Sequence, residues 1–334
     1  MLGIILSINR FVRVFAYGLI SHYVALIGLR KMCFLAAILA TFSTAIYGYS
    51  TGFFLIFLAR IIWGIAYAIL VLITLAYAIE FKERTGTRVG VSQTLQRFGP
   101  IFSLIIGSWM VTMVGPKTVF LLMTIPTAFG IFIALYLPKH SLTFKTSFKH
   151  KHNLSKPTSL DLLFFIQGYG IDGVFSVTIT LMIYEYTSLS YAVIGGGILL
   201  ALRHFSDALG APLFGTIADQ FGIRKIFLVA TLSIMCGFFL ISFEFIILGS
   251  IVLITFKGAL VSLGPTIIAK ASNHSNKTMS DLARMQTWRD LGAAIGPLVT
   301  GTTLVYLSAG SQHFVLGIAF MIVFLNLRKA NLYK

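Results

Sequence analysis

Residues Arg203 to Lys225 read RHFSDALGAPLFGTIADQFGIRK, and the fold is decided there. The stretch takes the end of one apolar helix, predicted near 190–214, into the start of another, predicted near 226–243. Between them the sequence predicts a tight polar turn holding Gly215, Asp219, Gly222, Arg224 and Lys225. Glycines let two helices approach closely, and two cations beside one carboxylate keep such a turn in cytoplasmic water.

The rest of the chain has the composition this reading needs. Of 334 residues, 57% are hydrophobic and 11% charged, with a mean hydropathy of +0.91, which excludes a soluble globular protein. A formal net charge of +16 would suit nucleic acid only if the cations shared one solvated face. They lie between apolar runs instead, as the positive-inside rule requires, and a nucleic-acid partner is set aside. Cys33 and Cys236 both fall in apolar segments, so no disulfide framework is expected.

Apolar runs long enough to cross a bilayer recur about eleven times, near 2–27, 32–49, 53–79, 90–114, 118–137, 159–185, 190–214, 226–243, 246–269, 283–308 and 313–330. Lysine and arginine collect in alternate connections: Arg30 and Lys31; Lys82, Arg84 and Arg88; Lys139 to Lys156; Arg224 and Lys225; Lys270 and Lys277; Arg328, Lys329 and Lys334. The intervening loops carry neither, apart from Lys117. The charged set is assigned to the cytoplasm, together with the carboxyl end. Residues 138–158 read as a basic cytoplasmic linker between helical halves 1–137 and 159–334. Its His150-Lys151-His152 cluster lacks any carboxylate or cysteine, so no metal site is expected. The sequons at Asn153, Asn273 and Asn276 fall in connections on that same side and are expected to stay unmodified.

The halves repeat. A shift of 194 residues lays Gly28, Arg30 and Lys31 on Gly222, Arg224 and Lys225, and Gly64 on Gly258. A shift of 193 lays Gln93, Thr94 and Gly99 on Gln286, Thr287 and Gly292. A nearly constant offset across separated helices indicates parallel repeats about an axis along the membrane normal. Ser21 and Ala25 stand in the first copy where the second has Gly215 and Asp219. The partner of the 159–185 helix would lie upstream of Met1, so the first helix of a twelve-helix plan is expected to be missing.

The glycine, the aspartate four residues on, the glycine three further and the two basic residues resemble the signature loop of the major facilitator superfamily. LARIIWGIAYA, with Arg60 four residues before Gly64, is similar to that family's fourth-helix motif. Gly99, Pro100 and Gly107 match its antiporter motif in part, since Ser103 and Leu104 replace the paired glycines. The resemblance implies an all-α membrane protein of two pseudo-symmetric helical bundles, with about eleven transmembrane helices present. It implies alternating access and a central cavity lined by helices that carry Arg60, Asp172 and Lys257 here. It also implies that the second helix of one half lies beside the fifth of the other.

Ionisable groups inside spans cost several kcal/mol unless they face a cavity or a partner. The offsets equate Arg13 with Asp207 and Arg97 with Asp290, opposite in sign. With the packing the resemblance implies, Arg13 would meet Asp290 and Arg97 would meet Asp207, about 11–16 Å from the cytoplasmic end, as a gate between the halves. Arg203, four residues before Asp207, is a member of the same group, and the bland alternative is that these two pair on one helix face. Asp172, in FFIQGYGIDGVF, has Gln167 and Tyr169 beside it as hydrogen-bonding groups for a polar solute. Asp172 could carry a proton; paired with Lys257, it could equally be a structural ion pair. No nucleotide-hydrolase glycine loop is present, and neither an enzyme nor a cofactor is expected. The reading is a monomeric secondary transporter in a bacterial-type inner membrane, moving a small polar or anionic solute with proton coupling. The alternatives are a non-transporting remnant, sensor or scaffold, and an efflux antiporter.

Overall fold

The computed structural model describes residues 2–79, 83–102, 110, 113–138, 156–271 and 275–329. Among the described residues the architecture is all-helical. Its elements are α1 (Leu2–Ile27), α2 (Leu29–Tyr49), α3 (Phe53–Ile79), α4 (Thr85–Phe102), α5 (Pro116–Tyr136), α6 (Ser159–Tyr184), α7 (Leu189–Phe221), α8 (Ile223–Ser242), α9 (Ile246–Ala271), α10 (Ser275–Thr303) and α11 (Ala309–Lys329). Seven of them, α2, α3, α5, α6, α8, α9 and α11, are long and apolar enough to cross a membrane. The other four, α1, α4, α7 and α10, carry Arg13, Arg97, Asp207 and Asp290. The linker cluster His150-Lys151-His152, Asn153, Asn273, Ser103, Leu104 and Gly107 lie outside the described residues.

The polar turn predicted between α7 and α8 is not a turn. Helix α7 continues through Gly215 and Asp219 to Phe221, and Gly222 alone separates it from α8. Gly222 has φ +98, a backbone conformation closed to most side chains, and its N–H bonds the Ala218 carbonyl at 3.0 Å. One such residue redirects the chain, so no longer loop is needed. The repeat-related Gly28 has φ +90 and breaks α1 from α2 in the same way, with its N–H 2.9 Å from the Val24 carbonyl.

Helix α6 begins at a capping box. Thr158 Oγ1 accepts the Asp161 N–H, and the Asp161 carboxylate accepts the Thr158 N–H at 2.9 Å. The helix then widens into a π-helix over Gly168–Val174, GYGIDGV, before resuming at Phe175–Tyr184. The wider turn releases carbonyls from the ordinary ladder, and such turns concentrate at functional sites.

The chain divides into two compact units. The first comprises Met1–Tyr77, Pro100–Ser155 and Ser272–Thr287. Within it α2 packs along α5, with Tyr47 and Phe120 rings 5.1 Å apart, and α1 packs on α3, where a Cβ on Gly64 would lie 3.0 Å from the Asn9 carbonyl. The second comprises Ala78–Gly99, Lys156–Ala271 and Trp288–Lys334. Its core holds Phe164, Phe175, Phe227, Phe238 and Phe320, all buried. Lipid tails are as apolar as these side chains, so burial supplies little driving force between helices and close packing must supply it. Glycine makes that packing possible. A Cβ on Gly296 would lie 2.6 Å from the Tyr169 carbonyl, and one on Gly292 would overlap the Phe165 carbonyl, so α10 runs against α6 backbone to backbone.

Candidate functional site

Five ionisable side chains of the second unit form one connected series that includes Asp207. Its side chain is fully buried, and its Oδ2 faces both Lys257 Nζ at 3.0 Å and Arg97 Nη2 at 3.2 Å. Its Oδ1 is buried with no hydrogen-bond partner among the described residues. Lys257 Nζ is also 3.2 Å from Asp172 Oδ1, and Arg203 Nη1 is 3.5 Å from that same oxygen. The order of charges is therefore Arg97, Asp207, Lys257, Asp172, Arg203, alternating in sign and drawn from α4, α7, α9 and α6.

Two carboxylates stand among three cations. Removing one partner from such a cluster costs about 3–5 kcal/mol, because the charge left behind is buried and unpaired. The two ends and Asp172 retain some contact with solvent, at 14% exposure for Arg97, 13% for Arg203 and 14% for Asp172, while Lys257 keeps 4% and Asp207 none. The ends of the cluster and Asp172 are thus partly exposed, and Lys257 is the buried link between the two acids.

The π-helix positions the Asp172 end. Ser176 Oγ bonds the Ile171 carbonyl five residues back at 3.3 Å, and Arg203 Nη1 donates to that carbonyl at 3.1 Å and to Ser176 Oγ at 2.6 Å. The four-residue spacing of Arg203 and Asp207 does not pair them. Arg203 turns to α6, and Asp207 turns to α4 and α9, because each finds more oppositely charged or carbonyl partners there than along its own helix.

The Arg97–Asp207 contact sits on a closely packed seam between α4 and α7. A Cβ on Gly90 would lie 2.5 Å from the Ala211 carbonyl, and one on Gly86 would lie 2.6 Å from the Gly215 carbonyl. Thr94 Oγ1 donates to the Ala208 carbonyl across the same seam. At its end Asp219 accepts the Gly86 N–H at 3.2 Å, and the Thr87 N–H and hydroxyl at 2.9 and 3.1 Å. A carboxylate there satisfies orphan amides of the first turn of α4 and meets the positive end of its dipole. The other signature residues have separate tasks: Gly215 admits α4, Gly222 breaks the helix, and Arg224 donates to the Arg328 carbonyl at 3.2 Å.

Of the remaining sequence candidates, Gln167, Tyr169 and Asp290 belong to the second unit, and Arg13 and Arg60 to the first. Gln167 is fully buried, one residue before the π-helix, with both amide atoms lacking a hydrogen-bond partner among the described residues. Tyr169 stacks on Phe165 at 6.3 Å, and Phe165 meets Trp288 edge-on at 6.1 Å. Asp290, on α10, is 3% exposed. In the first unit, the Arg13 guanidinium lies 4.8 Å from the Tyr67 ring centre and that of Arg60 5.9 Å from Tyr47, both within cation–π range. Among the described residues there is no group of three His, Cys, Asp or Glu side chains placed to hold a metal.

Sequence reasoning missed Ser176 and Thr87 as partners and the double engagement of Lys257. The only signal available was the glycine spacing of GYGIDGV, which hinted at irregular helix without giving its register. It also missed a pocket of about 430 Å³ beyond the end of α6, lined by Glu185, Tyr186, Glu244, Ser308 and Ser311 among others. There the hydrogen bond between Tyr186 and Glu244 raises the tyrosine above its ordinary range.

The sequence pattern of the Major Facilitator Superfamily matches residues 1–202. The chain belongs to the Major Facilitator Superfamily. Three solved members of that fold superpose on almost all of it. The human organic anion transporter MFSD10 (TETRAN) gives a TM-score of 0.80 at 16% identity, covering 97% of this chain and 83% of that one. The proton:xylose symporter XylE, bound to 6-bromo-6-deoxy-D-glucose, gives 0.79 at 13%, covering 98% and 85%. The E. coli fucose:proton symporter FucP gives 0.77 at 12%, covering 98% and 90%. At these identities the likeness establishes the fold. No curated protein matches the sequence. This major facilitator protein is a multi-pass membrane protein of a family of transporters.

Proposed function

We propose that this major facilitator protein is a secondary transporter that moves a small polar or anionic solute by alternating access, with a proton as the coupling ion. The observation that carries the reading is the buried alternation of charge from Arg97 to Arg203, with three cations to two carboxylates. A cluster with one cation in excess, partly exposed at Asp172 and both arginines, suits an anion or a polar group that accepts hydrogen bonds. The buried Nε atoms of Arg97 and Arg203 lack hydrogen-bond partners among the described residues, which leaves donors for such a solute. That the structural neighbours include an organic anion transporter and two proton symporters supports the same class.

In this reading Asp172, Lys257, Arg60, Gln167 and Tyr169 serve the solute and proton path, and Arg97–Asp207 and Arg13–Asp290 form the gate between halves 1–137 and 159–334. Residues 138–158 join the halves, the protein acts as a monomer in an inner membrane, and its carboxyl end is cytoplasmic.

Counterflow in proteoliposomes tests the reading, with radiolabelled lactate, succinate and galactose as probes under an imposed pH gradient. Uptake of one probe that collapses with the gradient is expected. Folded protein that exchanges none of the three, with or without the gradient, would remove the anionic and polar-solute reading.

A further inference from the structure

We propose that Lys257 is the positioning residue that transmits protonation of Asp172 to the Arg97–Asp207 contact. The inference rests on the carrier reading above and goes beyond it by naming how the proton reaches the gate.

One ammonium is shared by two carboxylates: Lys257 Nζ stands 3.2 Å from Asp172 Oδ1 and 3.0 Å from Asp207 Oδ2. Asp207 Oδ2 is in turn shared by Lys257 and Arg97. With both acids ionised, three cations face two anions. A proton on Asp172 leaves three cations around Asp207 alone. Mutual repulsion then rises, and one cation must withdraw. Lys257 is 4% exposed and held on α9, so leaving the cluster would strand it in an apolar core. Arg203 keeps Ser176 Oγ and the Ile171 carbonyl, neither of which depends on the charge of Asp172. Arg97 is the partly exposed end of the series, and its ion pair is with Asp207. Arg97 is therefore the cation that yields, and the α4–α7 seam loses the Arg97–Asp207 ion pair.

Asp207 Oδ1, buried and without a hydrogen-bond partner among the described residues, gives Lys257 a second oxygen to engage once Asp172 is neutral. Other charged or titratable groups on the packed elements are His204 beside Arg203 on α7, Arg289 and Asp290 on α10, and His313 on α11, whose Nδ1 faces the Ala309 carbonyl. On α8, Arg224 and Lys225 stand in the first turn. Lys257 is the group that stands against both Asp172 and Asp207.

The seam can be read without knowing the solute. With Cys33 and Cys236 replaced by serine, Thr94→Cys puts one thiol where a hydroxyl now bonds α7. Maleimide labelling of the full protein in lipid vesicles is followed from about pH 8 to about pH 5, divided at each pH by the rate in SDS to cancel thiolate chemistry. In the parent, normalised labelling is expected to rise about tenfold as pH falls. Asp172→Asn should label fast at every pH, Lys257→Gln slowly at every pH, and Lys257→Arg should restore the pH response. Full pH response in Lys257→Gln, no response in the parent, or parent-like behaviour of Asp172→Asn would each overturn the proposal. Lys257→Gln that labels fast at every pH would do so as well, unless Lys257→Arg is pH-responsive and Lys257→Gln no longer elutes as a folded species. Counterflow retained with the pH response absent sinks this inference alone. A pH response with no counterflow sinks the carrier reading alone.

Discussion

The two helix breaks at Gly28 and Gly222 share a backbone and differ in chemistry. Their φ values are +90 and +98, and each glycine N–H bonds the carbonyl four residues back. Seven residues before Gly222 stands Gly215, whose missing side chain admits the α4 backbone, and three before it stands Asp219, which caps α4. At the matching places the first copy has Ser21, whose hydroxyl bonds the Gly18 carbonyl of its own helix, and Ala25, which has no carboxylate to offer. The comparison separates two kinds of constraint. The break requires a residue without a Cβ, and both copies keep it. The contacts to another helix require particular side chains, and the second copy has them.

Substitutions that turn the second copy into the first measure that difference. Gly215→Ser should have the largest effect, since its Cβ would overlap the Gly86 carbonyl; a loss of about 2–3 kcal/mol is expected from overpacking, read as a lower unfolding midpoint in detergent. Ser21→Ala, by contrast, should stay within about 0.5 kcal/mol. If Gly215→Ser melts with the parent, the seam is looser than its backbone separation implies.

Gly222→Ala and Gly28→Ala should follow at about 1–2 kcal/mol each, equal to one another because the strain is in the backbone alone. Unequal losses would mean that the neighbours of one break also resist a methyl group. Asp219→Ala should cost about 1 kcal/mol, the usual worth of a helix cap, and should raise hydrogen exchange at the Gly86 and Thr87 amides specifically. Unchanged exchange there would dissociate Asp219 from α4. Arg224→Ala, whose bond to the Arg328 carbonyl is exposed, should shift the midpoint by less than about 0.5 kcal/mol.

The same division explains what could be read in advance. Spans were legible because the bilayer demands long apolar runs, and the 53–79 and 159–185 predictions fall within a residue of α3 and α6. The α7 end was misplaced because Gly215 and Asp219 have turn-like composition, whereas α4 packs against the glycine and donates its first-turn amides to the carboxylate. The charges of the site were legible as anomalies in apolar sequence. Their pairing was legible in part: the family resemblance set Arg97 against Asp207 and the sequence offered Lys257 to Asp172, but the four-residue spacing of Arg203 and Asp207 also offered a local answer that partners on α4, α6 and α9 displaced.

By itself, then, the sequence determined the membrane class, the apolar spans, the repeat and the family resemblance, since these follow from hydropathy, charge placement and glycine spacing along one chain. Tertiary structure decided where the polar groups find each other: the π-turn under Asp172, the cap Asp219 places on α4, and the division of Lys257 between two acids. The physical reason is distance. Lys257 is separated from Asp172 by 85 positions and from Asp207 by 50 in the chain and by 3.2 and 3.0 Å in space, and only packing can make pairs of that kind.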